Sequence, residues 1–188
     1  MGYYTPQMIT EKQYERIIAC LKCGYLEHRP NLRIATILQI TFNTGMNTED
    51  IINMKPIDIR LENGIWMFFS DEGREFVIPN SIKNLIDEYY REKNGKEVNY
   101  SSKERIFGKI TNAAVWKAVR LVTEYLGFEK IAPYSFRKRS IVRVFEASNY
   151  DEELLYEFLQ SNGSSEAVNR ILTALDGKER KYLGSNRV

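Results

Sequence analysis

One histidine, His28, and two cysteines, Cys20 and Cys23, are all that 188 residues contain of those types. The cysteines stand at C-x-x-C spacing, which suits zinc or redox chemistry, but a zinc site needs two further ligands and His28 is the only imidazole. One helical turn apart, they read as ordinary reduced thiols, which suit a reducing compartment. No apolar run approaches the roughly 20 residues that a membrane span requires. The opening residues, MGYYTPQMITEKQ, lack the apolar stretch of a signal peptide. The reading is a cytoplasmic protein without cofactor, metal or membrane partner. Net charge is also small, +2, so the overall balance points to no partner by itself.

What is present is an ordinary globular composition, 43% hydrophobic and 28% charged, at a length that fits one domain or one domain with a tail. The charge is unevenly placed. Between Lys103 and Arg143 there are ten Lys/Arg against three Asp/Glu, a local +7 that leaves −5 for the rest. Such a concentration is the footprint of a phosphate-binding face. Its densest part is PYSFRKRSIVR, where Arg137, Lys138, Arg139 and Arg143 fall within seven residues. Pro133 and Ser135 fit the first turn of a helix there. Helical spacing predicts one apolar stripe through Phe136, Ile141, Val142 and Phe145, with the cations mostly opposite and at least one close to the core. A guanidinium fixed beside a core is suited to gripping a phosphate.

Along the chain, Thr10-x-x-Gln13 reads as a capping box that opens a helix over 10–22, with Ile17, Ile18 and Leu21 on its apolar face. A helix over 31–45 is apolar nearly all round, which predicts a central, buried element. Thr48 is expected to cap a short helix with Glu49 and Asp50 in its first turn, ended by Lys55-Pro56. Strands at 57–61, 65–69 and 75–78 form an antiparallel meander around an Asn63-Gly64 turn. Further helices are expected over 81–93, from Thr111 or Asn112 to 126, over 135–148, over 151–159, and from Ser164 or Ser165 to 175. Residues 94–105 read as a mobile polar loop. The fold class is α+β, mainly α-helical with a small three-stranded antiparallel sheet. Residues 1–175 make one domain, and 176–188 a polar tail.

Five segments in order resemble the boxes of one family: TGMNTEDIINMKPIDIRLENGIW, REFVIPNSIKNLIDEY, IFGKITNAAVWKAVRLVTEYLGF, PYSFRKRS and FLQSNGSSEAVNRIL. Over residues 10–175 the chain resembles the catalytic domain of tyrosine recombinases, the phage integrases. That resemblance implies a helical domain that grips duplex DNA. Its chemistry is attack of a tyrosine on a phosphate, supported by two arginines, a histidine or tryptophan, and a hairpin lysine.

Most of those positions have changed. The first arginine falls at Asn47, with the acid three residues later kept as Asp50. The hairpin lysine falls at Asp71, near Arg74; the first histidine at Tyr134; the last histidine or tryptophan at Ser161. The second arginine is kept as Arg137, and the nucleophile falls at Arg170, or Ile171 with a one-residue slip. Arginine cannot attack phosphorus, and Asp71 would repel a phosphate. Tyr182 follows some twelve residues too late. The expectation is therefore a non-enzymatic double-stranded DNA-binding protein, nucleoid-associated; the resemblance extends to temperate-phage lysogeny repressors built on such a fold, which implies a sequence-specific phage or prophage repressor or regulator.

Candidate DNA contacts are Asn47, Arg74 on the hairpin loop toward a minor groove, Lys109, Thr111, Asn112, Lys117, Arg120, Arg137, Lys138, Arg139, Arg143 and Arg170. The helix starting at Thr111–Asn112 would offer a phosphate its N-terminus. The resemblance also implies a preceding DNA-clamping domain and a C-terminal segment passed to a neighbouring protomer, for which 176–188 is the candidate. Two other readings are a protein-interaction module using Tyr3, Tyr4, Tyr89, Tyr90 and Tyr150, and an active recombinase or nuclease.

Overall fold

A helix with apolar residues on every side can be satisfied only by being surrounded, and the second helix is. The computed structural model describes residues 6–147 and 149–152, and among these there are six α-helices and three strands. Helix α1 (Glu11–Cys23) opens with the full Thr10/Gln13 capping box and buries Ile17, Ile18 and Leu21. Helix α2 (Leu32–Thr44) has Ile34, Ala35, Ile37, Leu38, Ile40 and Phe42 buried, and packs against α1, a short α3 (Thr48–Asn53), α4 (Asn80–Asn94) and α6 (Pro133–Ala147). Fully burying each such aliphatic side chain contributes about 1.5–3 kcal/mol, which makes α2 the spine of the fold. Gly45 ends it at φ 70°, a left-handed conformation that glycine adopts without a Cβ penalty.

The meander is present with strands β1 (Ile59–Glu62), β2 (Ile65–Phe69) and β3 (Glu75–Ile78) in the order β1-β2-β3. Phe68 pairs with Ile59 on one side and Phe76 on the other. That register puts Ile59, Phe68, Phe76 and Ile78 toward the core and leaves Ile65 and Val77 exposed on the outer face. The first strand starts two residues later than its composition suggests. Pro56 fixes a 3₁₀ turn over Pro56–Asp58, and the Ile57 N–H donates to the Ser102 carbonyl (3.1 Å) instead of joining the ladder.

Other boundaries also differ from the expected ones. Asn47, not Thr48, caps α3: its side chain accepts from the Asp50 N–H at 2.8 Å. Residues 94–105 are tied down rather than loose. The Tyr100 hydroxyl donates to Asp87 (2.5 Å), Asp87 pairs with Lys83, and the Ile106 N–H donates to the Met54 carbonyl (3.0 Å). Tyr89 and Tyr90 are buried under α4, Tyr89 with its ring 5.0 Å from Phe107, so they are core residues and not interface tyrosines. Helix α5 (Asn112–Leu126) begins at its Thr111 cap and ends at Gly127 as its residues dictate. Helix α6 starts at Pro133, and Ser135 accepts from the Ala132 N–H (3.0 Å) to close its first turn. The helices expected beyond Tyr150, Arg170 and the tail lie outside the described residues. Among the described residues no helix is long and apolar enough to cross a membrane.

Candidate functional site

Helix α6 does not divide into an apolar stripe and a basic face. Phe136, Ser140, Ile141, Val142 and Phe145 are buried on several sides, and Arg137, Lys138 and Arg139 are each half-buried. The helix is clasped by α2 on one side and by the N-terminal segment on another, so its cations leave in different directions. Lys138 donates to the Pro6 carbonyl (2.8 Å) and lies 5.3 Å from the centre of the Tyr134 ring. Arg139 reaches Glu11 (3.4 Å) and Glu146 (3.7 Å), while Arg143 reaches Glu11 (3.7 Å) and covers the Phe42 ring at 4.9 Å. These three belong to the α1 side.

Arg137 goes the other way. Its Nε–H donates to the Gly45 carbonyl (2.9 Å) at the end of α2, which fixes the guanidinium beside the start of α3. Asp50, which is 5% exposed, and Arg74, which arrives from the β2–β3 turn, are near enough to act on its charge. Arg74 does not project outward from the hairpin. The turn folds on itself: the Ser70 N–H donates to the Arg74 carbonyl (2.8 Å), and the Arg74 N–H donates back to Ser70 Oγ (3.0 Å). Gly73 at φ 75° makes that closure. The Arg74 guanidinium is thereby turned inward onto Asp50 (2.5 Å), with the exposed Glu72 on its other nitrogen (2.8 Å). A buried carboxylate is costly without a cation, and this chain supplies one from 24 residues away.

The cluster is thus Asp50 from α3, Arg74 from the hairpin and Arg137 with Tyr134 from α6. Burial raises the Asp50 carboxyl above the usual carboxylate range, against the pull of its bond to Arg74. Burial likewise draws the Arg137 guanidinium down, and the nearby Arg74 adds to this while Tyr134 and Asp50 oppose it. Arg74 alone is bonded to the buried carboxylate, with Arg137 acting on it through charge, and Asp50 Oδ2 and Arg74 Nε are buried without a hydrogen-bond partner among the described residues. Chemically the cluster presents planar guanidinium donors, of which Arg74 is bonded both to the buried Asp50 and to Glu72, a surface acid.

The remaining candidates are placed apart. Asn47 is beside the cluster, but its side-chain oxygen is engaged as the α3 cap. Asp71 faces solvent and holds Lys55 (2.7 Å). Thr111 caps α5 through the Ala114 N–H (3.2 Å), and Asn112 Oδ1 is buried without a partner among the described residues. Lys109 and Lys117 are exposed, and Arg120 pairs with Glu124 (2.7 Å). Neither the inward turn of Arg74 nor the Gly45 carbonyl could be read locally. The nearest signal was Asp50 itself, an acid in a stretch otherwise fit for burial.

No family model and no curated protein sequence matches the chain. Solved structures do. The XerA recombinase is similar at a TM-score of 0.69 and 17% identity, over 100% of this chain and 66% of that one. The XerH site-specific recombinase bound to difH substrate, in a pre-cleavage complex, is similar at 0.64 and 18%, over 90% and 50%. A lambda integrase dimer bound to a COC′ core site follows at 0.61 and 18%, over 88% and 58%. The chain spans from half to about two thirds of the length of these structures. Mainly helical, with one small antiparallel sheet, it has the fold of the tyrosine recombinase catalytic domain.

Proposed function

We propose that this chain is a non-catalytic double-stranded DNA-binding protein that uses a recombinase-type domain for recognition, as a phage or prophage repressor or regulator. The observation that carries this reading is the gathering of Arg74 and Arg137 on Asp50. Arg137 stands where the resemblance has a phosphate-holding arginine and Arg74 is near its hairpin lysine, while the XerH structure is bound to difH substrate and the lambda integrase structure to a COC′ core site. In this reading a backbone phosphate takes the place of Glu72, and α5 with Lys109, Lys117 and Arg120 supplies further contacts. Support for the absence of catalysis comes from Asn47, a neutral helix cap where the resemblance has an arginine, and from Asp71, an acid where it has a lysine.

The test is duplex binding across a salt series with fragments from around the gene. Binding should fall steeply with salt, and Arg74→Ala and Arg137→Ala should each weaken it by roughly tenfold, about 1–2 kcal/mol. No binding at low salt would sink the reading. A covalent protein–DNA adduct on a nicked duplex would sink its non-catalytic half.

The outer face of the sheet favours a second reading, a protein-interaction module. Ile65 and Val77 are 51% and 57% exposed there, alongside the half-buried Met67 and Phe69. Under that reading Arg74→Ala costs stability and no DNA affinity is found.

A further inference from the structure

The small sheet has an outer strand on each side, and the two differ. Strand β3 has Glu75 as its only charged residue and runs straight into Pro79, which has no N–H to offer a further strand. Strand β1 reads Ile59-Arg60-Leu61-Glu62, and its last three residues are exposed, Leu61 at 57%. A cation and an anion thus flank an exposed leucine on an edge.

We propose that β1 pairs antiparallel with β1 of a second copy of this chain, about a two-fold axis at Leu61, so that two three-stranded sheets become one. The backbone argues for it first. Asn63 (φ 50°) and Gly64 (φ 81°) form the two-residue turn, with Glu62 opposite Ile65. In such a hairpin the residues flanking the turn exchange both backbone bonds, and the pattern alternates from there. Glu62 and Arg60 therefore spend their amides on β2, while Leu61 and Ile59 turn theirs to the open edge. An axis at Leu61 sets that residue opposite its own copy as a hydrogen-bonded pair.

Charge argues for the same axis. It sets Arg60 of one copy opposite Glu62 of the other, twice. These are non-hydrogen-bonded pairs, in which side chains lie closest, and both groups project from the outer face. Arg60 lies over the Phe69 ring there at 5.1 Å; a guanidinium whose plane covers a ring still presents N–H donors at its edge. Parallel pairing in register would set Arg60 against Arg60 and Glu62 against Glu62, so the charge order selects the antiparallel form. Leu61 meets its own copy and leaves water. The Ser102 carbonyl already holds the Ile57 N–H (3.1 Å), which confines the pairing to residues 59–63 of each copy. So short an interface makes a weak, concentration-dependent dimer. The inference is independent of the DNA-binding reading.

The measurement is sedimentation velocity of the full chain without DNA, across about two decades of micromolar concentration. The wild type should pass from monomer to dimer. Arg60→Glu and Glu62→Arg each set like charges opposite one another twice, and each should raise the dimer dissociation constant by about tenfold. The exchange Arg60→Glu/Glu62→Arg restores both pairs and should return the constant to near the wild-type value. Leu61→Pro removes the outward N–H, leaves the bonds to β2 in place and should abolish the dimer. Thermal melts check that all variants fold. A wild type that stays monomeric overturns the proposal. So does a dimer that survives folded Leu61→Pro, or an exchange variant that associates no better than the single reversals.

Discussion

At the scale of single residues, Asp50 decides most about the candidate site. It is 5% exposed, and its bond to Arg74 is what turns the hairpin arginine inward. Removing the carboxylate strips the part-buried Arg74 of its buried partner, so Asp50→Ala should lower stability by about 2–4 kcal/mol in urea titrations, somewhat less than a fully buried pair because Arg74 is partly solvated. The pH dependence has a definite sign. Burial holds the Asp50 pKa in the folded state above its unfolded value, so the stability linked to its proton is fully present at low pH. It is lost as pH rises through the folded pKa. The margin of the wild type over Asp50→Asn should therefore be largest below the ordinary carboxylate range and should narrow toward neutrality. Urea melts of both proteins from acid to neutral pH read this directly, and a margin that widens with pH would contradict it. Asn47 has a smaller, separate duty. Its side-chain oxygen caps α3, and Asn47→Ala should cost about 1 kcal/mol whatever happens to ligand binding.

At the scale of elements, the basic helix α6 behaves differently from its sequence. Its cations are shared out: Arg137 to the Asp50 cluster, and Lys138, Arg139 and Arg143 to the N-terminal segment and α1. The Arg139–Glu11 pair is partly exposed at 3.4 Å, so a double-mutant cycle on it should give under about 1 kcal/mol. So weak a tie would leave Arg139 open to a stronger phosphate partner. A coupling several times larger would mark the pair as part of the fold instead. The loop after α4 is the converse case. Polar in sequence, it is fastened by Tyr100 to Asp87, with the Lys83 ammonium 4.7 Å from the centre of the Trp66 ring and 5.0 Å from that of Tyr100. Tyr100→Phe removes one donor to a part-buried carboxylate and should cost about 1–2 kcal/mol by thermal or chemical melting.

At the scale of the whole molecule, the test is electrostatic. The net charge of +2 is too small for bulk attraction to dominate, so the proposed DNA binding requires local contacts. If Arg74, Arg137 and the α5 cations engage on the order of four phosphates, log affinity should fall with log salt at a slope of about −4. Arg137→Ala should flatten that slope by about one, with its melting temperature checked alongside, since the same residue braces the Gly45 carbonyl. A flat salt response would leave the outer sheet face as the better guide to a partner.

What the sequence by itself determined is local. The Thr10 and Thr111 caps, the glycines after α2 and α5, the Asn63-Gly64 hairpin and the all-round apolar α2 are written in neighbouring residues, because capping, turn geometry and periodicity act over a few positions. The order of those elements, with five box-like segments, was also enough to point to the recombinase-type fold that the solved structures share. Only the tertiary structure decided which charges meet. Asp50 and Arg74 are separated by a strand pair, and Arg137 comes from a helix 87 residues beyond Asp50. The fall in dielectric on burial brings them together, and no local rule states which carboxylate will be buried. The same holds for Tyr89 and Tyr90, which periodicity alone does not separate from surface tyrosines until Phe107 is packed over one of them.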